Sequence, residues 1–154
     1  MGHSAPLRTS RTAWGLGLIL LLLVTTGSCT TTGVFSKNNL NNDDYLRAVE
    51  GFNEGIRWRE YRAAAVFVAP QQLEVYWKQT DALAERVRLS ECQIQRVNMN
   101  AEAGSGIALL RYRYYYPNDP SIRSKDVNQK WRYEETTKSW QVIQTGLHVL
   151  LEAN

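Results

Sequence analysis

The feature that most constrains the fold of this chain is a change in hydrophobic periodicity near residue 85. Before that point, Tyr45, Val49, Phe52 and Ile56 recur at spacings of four, three and four, which is one apolar stripe of a helix. After it, apolar and polar residues alternate within segments that are separated by turn signals. Helices followed by strands predict an α+β domain in which the helices pack on an antiparallel sheet.

Three helices are predicted in the first half of the domain. Residues 42–44, Asn-Asp-Asp, are typical of a helix N-terminus because they supply capping side chains and negative charge. The first helix covers residues 43–57, and Gly51 and Gly55 beside its stripe would let another element approach closely. The other helices are predicted over 61–68 and 71–83, with Leu73, Tyr76 and Trp77 facing inward.

Four strands are predicted in the second half, in the order of a meander. Val87 and Leu89 share one alternation parity whereas Cys92 and Ile94 share the other, so a bulge is expected at 90–91. The predicted strands are 86–97, 107–116, 122–133 and 140–145, with a turn at Pro117-Asn118-Asp119-Pro120. The tail over 146–154 is expected either to extend the last strand or to dock on the domain.

Two of the strand patterns are Val127-x-Gln129-x-Trp131 and Trp140-x-Val142. Together with the element order and the helix stripe, they resemble the nuclear transport factor 2-like (cystatin-like) superfamily over residues 43–145. The resemblance implies a cone in which N-terminal helices pack on a curved, four-stranded antiparallel meander. Usual members of the superfamily have further strands and helices, so this chain resembles a smaller version.

The N-terminus has the three-part layout of a secretory signal peptide. Residues 1–12 are polar with two arginines and no acidic residue, residues 14–24 are apolar apart from two glycines, and residues 25–28 are small. An apolar segment of about eleven residues is shorter than the ~20 that cross a bilayer as a helix. Residues 1–28 are therefore predicted to be a signal peptide.

The signal peptide leads into Gly27, Ser28 and Cys29, which resemble the lipobox of bacterial lipoproteins, with Thr26 in place of the usual leucine. The resemblance implies cleavage between Ser28 and Cys29 and acylation of Cys29, as with palmitate, which would hold the protein on a membrane. Because Thr30 rather than aspartate follows, it implies the periplasmic face of the outer membrane, with the inner membrane as the alternative. The other interpretations are a cut near Gly27 or an uncleaved anchor, with Cys29 incidental.

Removal of the signal peptide would leave 126 of the 154 residues. These are predicted to form a lipidated cysteine with a flexible tether over 29–42 and a single domain over 43–154. Both signal-peptide arginines are lost with it, which leaves 16 basic residues against 15 acidic ones. This balance and a periplasmic address argue against a nucleic-acid partner.

No group of residues in the sequence predicts a catalytic or metal site. His148 and Cys92 are the one histidine and the one unlipidated cysteine left after cleavage, too few for a usual zinc site. Cys92 is interpreted as a buried, inert thiol. Glu91 and Asp81, which were considered as general bases, are better interpreted as surface carboxylates. We therefore expect no catalytic residue, no cofactor and no metal.

The most unusual stretch is 111–116, where alternation divides the residues between two faces of a strand. One face carries Tyr112, Tyr114 and Tyr116, and the other carries Arg111, Arg113 and Tyr115. Either the tyrosines form a platform for a ligand or partner and the arginines bind anionic groups, or the tyrosines lie in the core. Trp131, Tyr133 and Trp140 on neighbouring strands belong to the same candidate surface or to the same core.

The lack of recognisable chemistry favours a non-catalytic interaction or scaffold module. It would hold a protein partner, or a second copy as a homodimer, on the exposed face of its sheet. The first alternative is a binding module for a small apolar or aromatic ligand, in a pocket between helix 43–57 and the sheet. The second is an isomerase or cyclase, because some enzymes of the resembled superfamily, such as ketosteroid isomerases and polyketide cyclases, place an Asp or His in an apolar cavity.

Overall fold

The computed structural model describes residues 40–152 of the chain. The helices are α1 (Asn42–Arg57), α2 (Tyr61–Ala65) and α3 (Leu73–Arg86), with short 3-10 turns at Pro70–Gln72 and Leu147–Leu150. The strands are β1 (Arg88–Asn100), β2 (Ser105–Tyr116), β3 (Asp119–Glu134) and β4 (Ser139–Gln144). They form one antiparallel sheet in the order β1-β2-β3-β4, and the helices pack on it. The predicted α+β class and meander order are therefore confirmed.

Helix α1 carries the predicted stripe into the centre of the core. Tyr45, Val49, Phe52 and Ile56 are all completely buried. The residue that caps the helix is Asn41, whose Oδ1 accepts a hydrogen bond of 2.9 Å from the backbone N–H of Asp43. The cap therefore lies one residue before the predicted segment, because its oxygen must reach the free N–H groups of the first turn.

The two glycines of α1 mark the place where the following segment crosses it. A Cβ on Gly51 would lie 2.8 Å from Cζ of Phe67, and one on Gly55 would lie 3.0 Å from Cβ of Ala64. Neither position has room for a side chain unless the crossing segment moves away. The expected close approach is confirmed, and it brings α2 directly onto α1.

The segment after α2 pairs with the sheet instead of continuing as a helix. The N–H of Val142 donates to the carbonyl of Phe67 at 2.8 Å, and the N–H of Ala69 donates to the carbonyl of Val142 at 3.1 Å. Residues 67–69 thus run parallel to β4 and occupy part of its open edge. The prediction of a helix as far as residue 68 was wrong, because α2 ends at Ala65 and, after one tight turn, the carbonyl of Phe67 and the N–H of Ala69 bond to Val142 of β4.

Helix α3 buries Tyr76, Thr80 and Leu83, which recur at spacings of four and three. Trp77 lies one position away from this stripe, so its ring packs edgewise on Tyr76 and stays 37% exposed. The expectation that Trp77 faces inward was therefore wrong. Leu73 is half-buried against the core.

The register of β1 against β2 confirms the predicted bulge. Pairing shifts between Leu89 and Glu91, and a second, unpredicted shift lies between Ile94 and Arg96. The first shift lets Leu89 and Cys92, which have opposite parity in the sequence, lie opposite Tyr114 and Tyr112 on β2. Both residues therefore face the helices.

The tail docks on the domain after a sharp change of direction at Gly146. This residue has φ of 71°, and a Cβ on it would lie 2.5 Å from Cγ1 of Val127 and 2.6 Å from the carbonyl of Asn128. Leu147 and Leu150 beyond it are completely buried. Of the two outcomes expected for the tail, docking is the one observed.

One hydrophobic core runs through residues 40–152, with buried members from all three helices, from β2, β3 and β4 and from the tail. Half-buried residues of β1 pack against it, so the described elements share a single core. Among the helices of this part of the chain, none combines the length and the apolar character that crossing a membrane requires. The predictions for the signal peptide, for lipidation of Cys29 and for residues 29–39 of the tether concern residues outside those described.

Candidate functional site

A network of polar side chains lies between α1 and the inner face of the sheet. Asn53 on α1 and Gln129 on β3 exchange two hydrogen bonds, from Gln129 Nε2 to Asn53 Oδ1 at 2.8 Å and from Asn53 Nδ2 to Gln129 Oε1 at 3.2 Å. The hydroxyl of Tyr112 also donates to Asn53 Oδ1, and the indole N–H of Trp131 donates to Gln129 Oε1 at 3.3 Å. All four residues are at most 3% exposed.

The members of this network bind one another, which leaves little capacity for a ligand. Asn53 Nδ2 makes a further bond of 2.6 Å to the carbonyl of Val49, so both of its N–H groups are used. Burial raises the pKa of Tyr112 well above its ordinary value, so its hydroxyl stays protonated as a donor. The network thus stabilises the packing of α1 on the sheet and fixes their relative position.

Cys92 lies beside this network on β1. Burial raises the pKa of its thiol to about 11, although the nearby Tyr112 and Arg57 act in the opposite direction. A thiol with that pKa carries little thiolate at neutral pH and is a poor nucleophile. The raised pKa agrees with the interpretation of Cys92 as an inert thiol, but the side chain is half-buried and lines a cleft, so it is not the fully buried residue that was expected.

The structure separates the residues that were predicted to form a ligand or partner surface. Tyr112, Tyr114, Trp131 and Trp140 are 0–3% exposed and belong to the core, while Tyr116 and Tyr133 are half-buried around it. The alternation is as predicted, but α1 and the tail cover the face that these rings share. The four buried rings are therefore core residues and do not form an open platform, which corrects the first interpretation of this stretch.

Arg111 and Arg113 lie on the opposite, outer face of the sheet. Arg111 makes a two-pronged ion pair with Asp126, with N–O distances of 2.7 and 2.9 Å, and Arg113 contacts Glu91 at 3.1 Å. The hydrogen bonds from Arg111 lower the pKa of Asp126, and those from Gln93 and then Arg113 lower the pKa of Glu91. Both arginines thus already have carboxylate partners within the sheet.

The residues considered for acid-base chemistry lie at the surface. Glu91 belongs to the outer-face ion pair, and its lowered pKa is the reverse of what a general base in an apolar cavity needs. Asp81 and His148 are exposed. In the described range, no group of three or more His, Cys, Asp or Glu side chains is placed to hold a metal ion.

A cleft of about 460 Å³ opens between α1 and β1, where the sequence suggested a pocket. Its rim carries Glu50, Glu54 and Arg57 of α1, and Asn53, Cys92 and Ile94 line it further in. Asn53 is saturated by protein partners and three of the six lining residues are charged, so this cleft is poorly suited to a small apolar ligand.

A second cleft lies where the described chain begins, and we call it the N-terminal cleft. It has a volume of about 620 Å³ between the start of α1, the segment after α2 and the β3–β4 hairpin. Its lining residues are Leu40, Asn41, Asp44, Arg47, Ala48, Val66, Phe67, Tyr133, Lys138, Ser139 and Trp140. Two of the predicted surface residues, Tyr133 and Trp140, therefore belong to the wall of a cleft.

A third cleft, of about 550 Å³, lies on the helical side of the domain. It is lined by Arg59, Glu60, Tyr61, Arg62, Ala63 and Trp77, and we call these residues together with Trp58 the α2 surface. Trp58 is 60% exposed, and the guanidinium of Arg57 lies 4.9 Å from the centre of its ring. The sequence predictions do not include this surface, because they place Trp77 in the interior.

No protein-family model matches the chain, and no curated protein matches it. A solved structure of a SEC-C motif-containing protein from Rhodopseudomonas palustris is similar, with a TM-score of 0.51 and 9% identity over 62% of this chain and 71% of that chain. Since the identity is so low, this similarity concerns the fold alone.

Two further solved structures are similar at lower scores. The intermembrane space region of the chloroplast protein ARC6 has a TM-score of 0.45 and 7% identity, over 67% of this chain and 92% of that chain. A candidate polyketide cyclase from Xanthomonas campestris pv. campestris has a TM-score of 0.46 and 13% identity, over 67% of this chain and 90% of that chain. Neither score is high enough to support an argument about this chain.

Proposed function

We propose that this protein is a lipid-anchored, non-catalytic interaction module that holds a protein partner on its α2 surface. The anchor is Cys29 behind a signal peptide of residues 1–28, and the place is the periplasmic face of the outer membrane. The domain is a small version of the nuclear transport factor 2-like cone. Support for that family comes from the order of helices and strands and from the inward-facing Val127, Gln129 and Trp131.

The observation that carries this proposal is the distribution of exposed apolar side chains. Among the described residues, six large hydrophobic side chains are well exposed, and four of them lie between residues 58 and 77. Trp58 and Trp77 belong to the α2 surface, Val75 lies elsewhere on α3, and Val66 lines the N-terminal cleft. Tryptophan, tyrosine and arginine dominate the binding energy of protein interfaces, and the α2 surface contains all three.

The charges of the α2 surface define the chemistry of the partner. The cleft is lined by two basic residues, Arg59 and Arg62, and by one acidic residue, Glu60. Arg57 lies beside Trp58. A complementary segment would present an apolar or aromatic side chain for the cleft and an acidic side chain for the arginines. We therefore propose a protein partner with that combination.

The outer face of the sheet, which the sequence suggested for partner binding, is less suited to this role. Arg111 and Arg113 already pair with Asp126 and Glu91, so a partner would have to replace existing ion pairs. Ile107 is exposed on the same face, but its partners on the neighbouring strands are the polar Asn98 and Lys130. A homodimer through the sheet is accordingly the weaker form of the interaction hypothesis.

The proposal is tested by site-specific photo-crosslinking in cells. A photoreactive residue replaces Arg62 on the α2 surface or, as the matched control, the exposed Ser124 on the outer face of β3. We expect a discrete adduct from position 62 only, and its loss in a Trp58→Ser background. The Cys29→Ser variant should leave the membrane fraction and lose the adduct.

The outcomes of this experiment separate the competing hypotheses. An adduct of twice the mass of the chain would mean that the partner is a second copy. Equal adducts from positions 62 and 124, or an adduct from position 124 alone, would contradict the α2 surface as the docking site. Retention of Cys29→Ser in the membrane fraction would contradict the lipid anchor without affecting the crosslinking result.

A further inference from the structure

The N-terminal cleft has an apolar interior of the size that small-molecule sites have. Its volume of about 620 Å³ lies within the usual range of ~300–1,000 Å³. Trp140 and Ala48 are almost fully buried in its base, and Leu40, Phe67 and Tyr133 are half-buried around it. These side chains would cover an aliphatic or aromatic body.

Among the charged side chains that line the cleft, one cation makes no ion pair with the described residues. Arg47 is paired with Asp44, which lies one turn earlier in α1. Lys138 lies in the β3–β4 turn with a positive φ of 50°, and within residues 40–152 it makes no ion pair. A single unpaired ammonium at the rim of an apolar cleft is complementary to one anionic group.

Two buried donors next to the cleft have no partner among the described residues. They are the indole N–H of Trp140 and the hydroxyl of Tyr45, whose rings lie 4.7 Å apart. Buried donors are nearly always hydrogen-bonded, so an orphaned donor needs an acceptor from elsewhere. A ligand oxygen near Trp140 would provide one.

We propose that the N-terminal cleft binds a small amphipathic carboxylate, with its carboxylate between Lys138 and the indole N–H of Trp140 and its apolar body against Phe67 and Tyr133. Both a fatty acid and an aromatic acid have this chemistry. Leu40 follows Cys29 by eleven residues in the sequence, so an anchor at Cys29 would keep the cleft near the bilayer. This last argument, which favours a fatty acid from the bilayer, rests on the proposed anchor.

The test is isothermal titration calorimetry on residues 30–154, which contain the whole described core. Dodecanoate, dodecanol and indole-3-acetate are titrated separately, each below its micellar concentration. We expect dodecanoate to bind, and dodecanol to bind about two- to fivefold more weakly, because an exposed ion pair contributes little. Tighter binding of indole-3-acetate would identify an aromatic acid as the better ligand and would also support the site.

Two variants and a matched control locate the binding site. Lys138→Ala should reduce the affinity for dodecanoate to that for dodecanol and leave dodecanol unchanged. Val66→Asp adds a negative charge at a side chain that is 74% exposed, so it should weaken dodecanoate alone without disturbing the core. Lys130→Ala, which removes an exposed lysine from the outer face of β3, should have no effect.

Three results would overturn the inference. They are no heat of binding for either carboxylate, equal affinities for dodecanoate and dodecanol, or equal effects of Lys138→Ala and Lys130→Ala. Since residues 30–154 lack Cys29 and retain the α2 surface unchanged, a negative result here leaves the anchor and the protein partner untouched. Failure of the crosslinking experiment would likewise leave the cleft unaffected.

Discussion

The two faces of strand β2 carry neighbouring residues into opposite environments. Tyr112 is completely buried and donates to Asn53, whereas Arg111, the preceding residue, is about half exposed and pairs with Asp126. On the inner face no water can replace a lost partner, so each missing group leaves a buried polar atom unsatisfied. On the outer face water replaces the partner at once, and the same number of bonds contributes far less.

This difference also indicates where function is to be sought. The inner face is filled, the polar groups of its central network satisfy one another, and on the outer face Arg111 and Arg113 are neutralised by carboxylates. The N-terminal cleft and the α2 surface differ from both, because half-buried or exposed aromatic side chains lie there beside Lys138 and beside Arg59 and Arg62, which make no ion pair with the described residues. A ligand or a protein partner can therefore gain binding energy from new contacts at the N-terminal cleft or at the α2 surface.

The largest difference in stability between changes on the inner and on the outer face of the sheet is expected for Asn53→Leu. The substitution removes the acceptor of Tyr112 and both hydrogen bonds that Gln129 exchanges with Asn53, and we expect the free energy of unfolding to fall by about 2–5 kcal/mol. The matched control is Asn128→Leu on the outer face of β3, which should change stability by less than about 0.5 kcal/mol. Urea unfolding measures both, and equal losses would mean that the network has no special role.

A smaller effect is expected from the pH dependence of Cys92. Its thiol has a pKa of about 11 when folded and an ordinary value of 9.0, so the folded state holds the proton more tightly. Stability from this group is therefore complete below pH 9 and is lost as pH rises through 11. The stability difference between the wild type and Cys92→Ala should shrink over that interval by about 2 kcal/mol.

Urea unfolding at several pH values between 8 and 11 measures this difference. Comparison with Cys92→Ala isolates the thiol from the buried tyrosines, whose raised pKa values also reduce stability at high pH. A difference that stays constant, or that grows with pH, would show that the folded state does not hold the thiol proton.

The smallest effect is expected at the outer-face ion pair. In a double-mutant cycle, Arg111→Ala and Asp126→Ala should show a coupling below the stability loss of Asn53→Leu, because both side chains are about half exposed. The coupling should decrease further near 1 M salt, where the screening length is about 3 Å. A coupling that is large and independent of salt would remove the distinction between the two faces.

Much of the fold could be predicted because its determinants are local. The stripe of α1, the shift of parity across the β1 bulge and the alternation around Gln129 are patterns within one segment, and each is found as expected. The close approach at Gly51 was also predictable, since a glycine beside an apolar stripe leaves a gap.

The elements that were mispredicted depend on partners distant in sequence. Residues 66–68 have a local pattern that fits a helix, but Val142 of β4, more than seventy residues away, bonds to the carbonyl of Phe67 and to the N–H of Ala69. Trp77 is exposed because Tyr76, Thr80 and Leu83 occupy the buried side of α3, where Tyr76 packs against Phe52 of α1. The sequence does contain one signal of the buried polar network, because Asn53 is a polar residue next to Phe52 on the apolar stripe.

By itself the sequence determined the α+β class, the order of the strands and the face on which each β2 residue lies, because periodicity and turn signals act within a few residues. It also predicts the lipid anchor at Cys29, from a motif that requires no fold. The tertiary structure decided that Tyr112 and Tyr114 are core residues, that Trp77 lines the third cleft and that Trp140 lines the N-terminal cleft. The physical reason is that α1, the 67–69 segment and the tail cover some surfaces of the sheet and leave others open, and this depends on how segments distant in sequence pack together.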